Sequence, residues 1–282
     1  MLLFRHARYS GPMKHFFTHL ALVVFCTQPV FAAQPGWDAF VRGDFSEART
    51  IGRSAGTAES LAHACRAGLV QGGFIETGIK AVKSLHGAIR DCDKALQLDP
   101  THFFAKMSLA IALSFEGKRL KRPAYPKMAR LLLLELTQKH PRNPLGYGAL
   151  GAWHSEVSAA GFMARLALGA RRKIAENNYQ KALAFGTIDF ALRFEHVKFL
   201  ARGKKIERKI ALREAKALVE ETVDTALDRL LQQRCKVLYE ALQSGNKRRI
   251  KTALKASGAF QGAGRGDAPH FPLETLSNQA AD

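Results

Sequence analysis

The residues most capable of chemistry are ten histidines and the triplet His154-Ser155-Glu156. No two histidines have the His-Glu-x-x-His spacing, and no two cysteines the Cys-x-x-Cys spacing, that are typical of zinc sites. Neighbouring residues on a helix point about 100° apart, so the members of the triplet do not converge as a hydrolase site requires. We therefore expect no enzyme activity, no cofactor and no metal.

Two basic clusters offer binding chemistry instead. The first contains Lys118, Arg119, Lys121 and Arg122, which flank Leu120, and the second contains Arg171, Arg172 and Lys173. If both lie at one edge of the fold, they form a positive rim that binds an anionic surface, with Leu120 and the segment 162–168 as apolar contacts. The alternative for the two clusters is a pair of independent solvated loops. For the apolar segment itself we expect packing against the fold, with a membrane contact as the alternative.

The N-terminal residues have the composition of an export signal. No acidic residue precedes Asp38, and three basic residues precede an uncharged apolar run over 15–31 that ends at Ala32 and Ala33. This pattern predicts a signal peptide over 1–32, with Met13 as an alternative start, because the run is short for a membrane span. We expect an exported, periplasmic protein. A retained N-terminal membrane anchor and a mitochondrial presequence are the alternatives.

The chain is strongly basic, with 43 Lys and Arg residues against 24 Asp and Glu residues. Such a charge attracts polyanions. Export favours anionic lipid, acidic polysaccharide or an acidic protein over nucleic acid as the partner, and a solvated basic surface without a partner is the alternative. Beyond the signal peptide, Cys65 and Cys92 are able to link neighbouring helices. We expect instead that these two and Cys235 are buried unpaired thiols.

A spacing of 4, 3 and 5 residues recurs along the chain. Its copies are Ala88, Cys92, Ala95, Pro100; Ala129, Leu133, Leu136, Pro141; Ala175, Tyr179, Ala182, Thr187; and, more weakly, Ala48, Gly52, Ala55, Ser60. Steps of 4 and 3 place three residues on one helical face, where a small alanine lets an antiparallel helix approach closely. Proline five residues later ends the helix. The pattern predicts successive helical hairpins.

This pattern resembles the second helix of the tetratricopeptide repeat, most closely at Lys94-Ala-Leu-Gln-Leu-Asp-Pro100, and Gly43–Ala48 resembles the mid-repeat turn. The spacing between copies exceeds the regular repeat length of that family. The part from Leu150 to Leu183 is similar to regulators of microtubule dynamics. That resemblance implies a degenerate repeat fold without enzyme chemistry, and microtubule binding does not carry over to an exported chain.

The sequence thus predicts an all-α fold, a TPR-like right-handed superhelix of antiparallel hairpins. Repeats are expected over 33–187, capping helices over 188–256 and a flexible tail over 257–282. The leading functional hypothesis is a scaffold or adaptor whose groove binds a protein segment. The residues expected to line that groove are Phe104, Lys106, Tyr147 and His154. The alternative is a basic peripheral binder of anionic envelope surfaces, either lipid or polysaccharide.

Overall fold

The protein is known from a computed structural model that describes residues 35–186 and 189–277. The predicted signal peptide lies outside these residues. The α-helices are α1 Trp37–Arg42, α2 Phe45–Ala55, α3 Ala58–Val70, α4 Gly78–Leu98, α5 Phe103–Leu120, α6 Ala124–Lys139, α7 Pro144–Ala159, α8 Phe162–Leu168, α9 Arg172–Phe185, α10 Phe190–Ala201, α11 Lys205–Glu220, α12 Ala226–Gln243 and α13 Lys247–Ala256. No strand occurs in the described ranges, which confirms the predicted all-α class.

Local signals in the sequence explain where several helices begin and end. The Asn143 side chain accepts the Leu145 amide at 2.9 Å, and Pro144 stands at the first position of α7, where its missing N–H costs nothing. Thr57 and Ser60 form a reciprocal cap on α3. Gly43, with φ of 103°, ends α1 in the left-handed region that glycine tolerates. A π-helical turn, Gln71–Ile75, continues α3.

The predicted small residues lie where helices pack. Ala88 on α4, Ala129 on α6 and Ala175 on α9 are completely buried. Glycines face two of these alanines, where a larger residue would be crowded. A Cβ atom added to Gly68 of α3 would lie 3.1 Å from the Cβ of Ala88, and one added to Gly151 of α7 would lie 3.3 Å from the Ala175 carbonyl oxygen. The pairs α3–α4, α5–α6 and α7–α9 therefore pack closely through small side chains.

The first helices and the last helices contact each other. The Arg229 Nη2 atom on α12 donates to the Val41 carbonyl at 3.4 Å, and a Cβ on Gly43 would lie 3.0 Å from Ala226. One apolar core lies mainly among α3 to α7, and a second joins α1 and α2 to α9–α13. The helices α10 to α13 thus bury α1 and α2 as well as one face of α9.

Residues 257–277 are not a flexible tail, so that prediction is wrong for this segment. Phe260, Phe271 and Leu276 are buried in the first core, and the Phe271 carbonyl accepts the Tyr125 hydroxyl at 2.6 Å. The glycine- and proline-rich composition indicated mobility, but tertiary contacts of three apolar side chains fix the segment. Residues 278–282 lie outside the described residues. None of the described helices has the length and apolarity to cross a membrane.

A disulfide joins Cys65 on α3 to Cys92 on α4, with their Cα atoms 5.3 Å apart. The expectation of three unpaired thiols is therefore wrong for these two cysteines, because the close α3–α4 contact brings their side chains together. Cys235 is unpaired and buried, and burial raises the pKa of its thiol to about 12.

Replacing both Cys65 and Cys92 with alanine is expected to lower the free energy of unfolding by about 3 kcal/mol, because the disulfide closes a loop of 27 residues in the unfolded chain. Urea denaturation of the oxidised protein and of the variant measures this loss. Cys235→Ala, which breaks no covalent link, is the control. Equal stability of the native chain and the double variant would show that the two thiols are not paired in solution.

Candidate functional site

Two of the four residues predicted to line a groove are buried. Lys106 Nζ lies 2.6 Å from Glu135 Oε1, beneath the surface of the α5–α6 pair. His154 Nδ1 accepts the Arg171 amide at 3.4 Å, and burial together with the Arg130 charge lowers the pKa of His154 to about 4. Neither side chain is accessible to a partner, so their assignment to a groove is wrong. In the structure, both residues lie on the face of their helix that packs against neighbouring helices.

The other two predicted groove residues are accessible, but each has its own local contacts. The ring of Phe104, which is exposed, lies 5.4 Å from that of Phe103. Tyr147, which is half-buried, contacts Phe185 at 5.5 Å, and Lys181 Nζ lies 5.3 Å from its ring centre. The structure thus gives no single groove formed by the four predicted residues.

The first basic cluster divides between surface and interior. Lys118, Lys121 and Arg122 are exposed around the α5–α6 turn, whereas Arg119 and Leu120 are buried. The sequence suggested a loop here, but α5 continues to Leu120, and its last turn directs Arg119 and Leu120 inward. The assignment of Arg119 and Leu120 to a surface rim is therefore wrong.

Ion pairs bring the ends of three helices together. Glu156 near the end of α7 lies 2.6 Å from Arg202 Nη2, just after α10, and 3.9 Å from Lys118 Nζ on α5. Burial raises the pKa of Glu156, but the charges of Lys198, Arg202 and Lys118 more than offset this and lower it to about 2. The connections that follow α5, α7 and α10 therefore lie along one edge of the protein.

The second basic cluster lies along the same edge. Arg172 pairs with Glu207 on α11, donates to the Phe199 carbonyl at 3.2 Å and covers the Phe199 ring at 4.1 Å. Arg171 and Lys173 beside it are exposed, with Lys173 Nζ 3.0 Å from Glu176. Arg172 thus joins the start of α9 to the α10–α11 turn, while its two neighbours face solvent.

Helix α8, between α7 and α9, exposes apolar side chains on this edge. Phe162, Met163 and Leu166 are 64%, 73% and 67% exposed, and Leu168 is the one buried residue of the helix. Positions 162, 163 and 166 share one helical face. Arg165 covers the Phe162 ring at 5.6 Å, and Ile206, at the start of α11, is also exposed. The expectation that this segment packs against the fold is wrong for these three side chains.

We call this surface the turn edge. Its exposed apolar residues are Phe162, Met163, Leu166 and Ile206, and its exposed basic residues are Lys118, Lys121, Arg122, Arg165, Arg171, Lys173, Lys204 and Lys205. The carboxylates of Glu156, Glu176 and Glu207 there each have a basic partner within 4 Å. The edge is positive and partly apolar, a combination suited to an anionic surface that also accepts apolar groups.

A buried ionic cluster that the sequence alone does not reveal lies on α5, where Glu116 and Arg119 flank the exposed Lys118 along the chain. The Glu116 carboxylate accepts Arg119 Nη2 at 2.7 Å, His86 Nε2 at 3.0 Å and the Phe271 amide at 2.9 Å. Burial raises the pKa of Glu116, but these three hydrogen bonds lower it to about 2. The sequence signal is a Glu-x-x-Arg spacing near the end of a mostly apolar helix, where i and i+3 residues meet.

The stability of the protein should depend on the charge of Glu116 at low pH. A carboxyl whose folded pKa is depressed stabilises the protein above its ordinary pKa and loses this contribution as pH falls through the folded value. The difference in unfolding free energy between the native chain and Glu116→Gln should shrink by about 3 kcal/mol between about pH 5 and pH 2, given a folded pKa of about 2. Urea denaturation at several pH values measures it, and a constant difference would contradict the proposed ionisation.

No protein family matches the chain, and neither a curated protein nor a solved structure is similar to it. Within the described ranges, no group of three or more His, Cys, Asp or Glu side chains is arranged to hold a metal ion. The turn edge combines exposed apolar and basic side chains among the described residues, which distinguishes it from an ordinary solvated face.

Proposed function

We propose that this protein is an exported, non-catalytic scaffold of TPR-like hairpins that binds anionic lipid surfaces through the turn edge. The observation that carries the proposal is the exposure of Phe162, Met163 and Leu166 on one face of α8, surrounded by basic side chains. Three large apolar side chains this exposed on adjacent turns form a patch that is unfavourable in water and favourable at a lipid interface.

Charge and apolar exposure together favour lipid over polysaccharide. Lys121, Arg122, Arg165 and Arg171 form no ion pair among the described residues, so their charges are available to phosphate groups. Each basic residue near an anionic leaflet contributes about 1 kcal/mol. The apolar face of α8 gains nothing from a hydrated polysaccharide but is buried when it enters the acyl boundary of a lipid layer.

Two observations support the exported TPR-like scaffold. The buried alanines at the α3–α4, α5–α6 and α7–α9 contacts have the spacing that resembles tetratricopeptide second helices. The Cys65–Cys92 disulfide is of a kind that persists in oxidising compartments such as the periplasm. The burial of Lys106 and His154 argues against an adaptor groove lined by these residues.

Removing the apolar face of α8 tests this proposal. Phe162→Ser with Leu166→Ser should lower the partition coefficient for anionic vesicles about 30-fold, since each side chain contributes about 1 kcal/mol when half-buried in the interface. Vesicle flotation or co-sedimentation measures the partition.

The matched control replaces two exposed apolar residues elsewhere, Leu131→Ser on α6 with Val237→Ser on α12. The control variant should bind vesicles like the native chain. Equal binding by the α8 variant and the native chain would show that α8 does not contact the lipid, and would contradict the proposal.

A further inference from the structure

Residues 258–277, which we call the strap, cross three helices as a series of turns and bends. The strap begins just after α13. Near its start, the Phe260 amide donates to the Gly73 carbonyl at 2.8 Å. It then contacts Arg119 and Glu116 on α5 and Tyr125 on α6, and ends at Ser277, whose amide donates to Asp93 Oδ1 on α4 at 3.0 Å. Apart from a single 3₁₀ turn, Leu273–Thr275, the strap has no helix of its own.

Side chains of the helices bind the backbone of the strap. The Arg119 guanidinium donates to the carbonyls of Gly264, Ala268 and Pro269 at 3.2, 3.0 and 3.0 Å, and more distantly to that of Arg265 at 3.4 Å. The Glu116 carboxylate accepts the Phe271 amide at 2.9 Å, and the Tyr125 hydroxyl donates to the Phe271 carbonyl. Backbone contacts of this kind do not depend on the side chains of the bound segment.

Two aromatic side chains secure the strap in the cleft. Phe260 lies against Gly72 and Gly73, where an added Cβ on Gly72 would lie 2.9 Å from its ring, and its ring centre is 4.9 Å from that of Phe115. Phe271 is buried beside His86, with ring centres 5.6 Å apart. The two glycines therefore form a pocket for one ring, and α4 and α5 form a pocket for the other.

The strap has the burial pattern of a bound peptide more than that of a core element. Phe260, Phe271 and Leu276 are its only described side chains that are buried, and Gln261, Gly262 and residues 264–266 between the aromatic residues are exposed. The cleft beneath it contains charged groups, Asp93, Glu116 and Arg119, whose polar atoms are directed at the strap backbone. A region packed permanently into a core is usually apolar, because buried charges are costly unless a hydrogen-bonding partner is present.

We propose that the cleft formed by α4, α5, α6 and the Gln71–Ile75 turn is a peptide-binding site that the strap occupies in the free protein. The partner is a segment of another protein with two aromatic residues eleven positions apart and a glycine- and alanine-rich stretch between them, as in the strap from Phe260 to Phe271. Such a segment displaces the strap, takes the two aromatic pockets and offers its carbonyls to Arg119. This site is separate from the turn edge, and neither proposal depends on the other.

Weakening the strap in the full chain tests the proposal. The probe is a fluorescein-labelled peptide with the sequence of residues 258–277, and the measurement is fluorescence anisotropy. The native chain should bind the probe weakly, because the tethered strap competes at a high effective concentration. The variant Phe260→Ala with Phe271→Ala should bind the probe at least tenfold more tightly. A peptide with both phenylalanines replaced by alanine should not bind either chain.

If the double variant retains its helical circular dichroism but binds the probe no better than the native chain does, the proposal is wrong. Hydrogen exchange of the native chain provides a second test that does not require the variant to fold. The amides of Phe260, Phe271 and Ser277 should exchange together, and faster than the core amides of α4 and α5, as a locally opening unit. Exchange of these amides only with global unfolding would also overturn the proposal.

Discussion

Replacing Arg119 with methionine is expected to lower the free energy of unfolding by about 4 kcal/mol, because removing one member of a buried ion pair leaves the other without its partner. Glu116 would lose two hydrogen bonds, of 2.9 and 2.7 Å, and remain completely buried. The carbonyls of Ala268 and Pro269 would lose their donor as well. Urea denaturation followed by circular dichroism measures the loss.

The neighbouring residue provides the control. Lys118 has the same charge and the preceding position on α5, but its side chain is 58% exposed. Lys118→Met should change the unfolding free energy by no more than about 0.5 kcal/mol, as is usual for an exposed residue. Adding Glu116→Gln to Arg119→Met should restore part of the loss, because it removes the unpaired buried charge. Similar small effects of both methionine substitutions would contradict the buried position of Arg119.

Neutralising four basic residues of the turn edge is expected to reduce binding to anionic vesicles about 10³-fold. The variant replaces Lys121, Arg122, Arg165 and Arg171 with glutamine, and about 1 kcal/mol for each residue gives about 4 kcal/mol in total. All four side chains are exposed, so the fold should be unaffected. Vesicle co-sedimentation at low ionic strength, where the electrostatic contribution is largest, measures the effect.

A second quadruple variant distinguishes the effect of the turn edge on binding from the effect of net charge. Helix α13 exposes Lys247, Arg248, Lys251 and Lys255, and glutamine at these positions changes the net charge by the same amount. This control should bind vesicles nearly as well as the native chain. Equal losses in the two variants would show that total charge, and not the arrangement at the turn edge, determines binding, and would overturn the proposed site.

The sequence predicted features that depend on local periodicity. The 4-3 spacing identified Ala88, Ala129 and Ala175 as buried small residues because a helix of 3.6 residues per turn places them on one face whatever the tertiary fold. Exposed basic residues at 121, 122 and 171 were also predicted, since charged side chains in the links between helices are usually solvated. These features require information from about ten neighbouring residues only.

Features that depend on distant contacts were missed. Arg119 was predicted at the surface from its basic neighbours, but its burial depends on residues 264–269, about 150 positions further along the chain. The strap was predicted to be mobile from its glycine-, proline- and polar-rich composition, and Phe260 and Phe271 have no helical or strand period that would indicate a buried face. The disulfide likewise required knowledge of how closely α3 and α4 pack.

Binding of the purified native chain to vesicles tests the central proposal most directly. We predict strong partition onto vesicles that contain anionic lipid, weak partition onto purely zwitterionic vesicles, and partial retention on anionic vesicles when ionic strength is raised to about 0.15 M, because screening reduces the charge contribution but not that of the α8 side chains. Equal, weak partition onto both vesicle types at low ionic strength would contradict a lipid-binding turn edge.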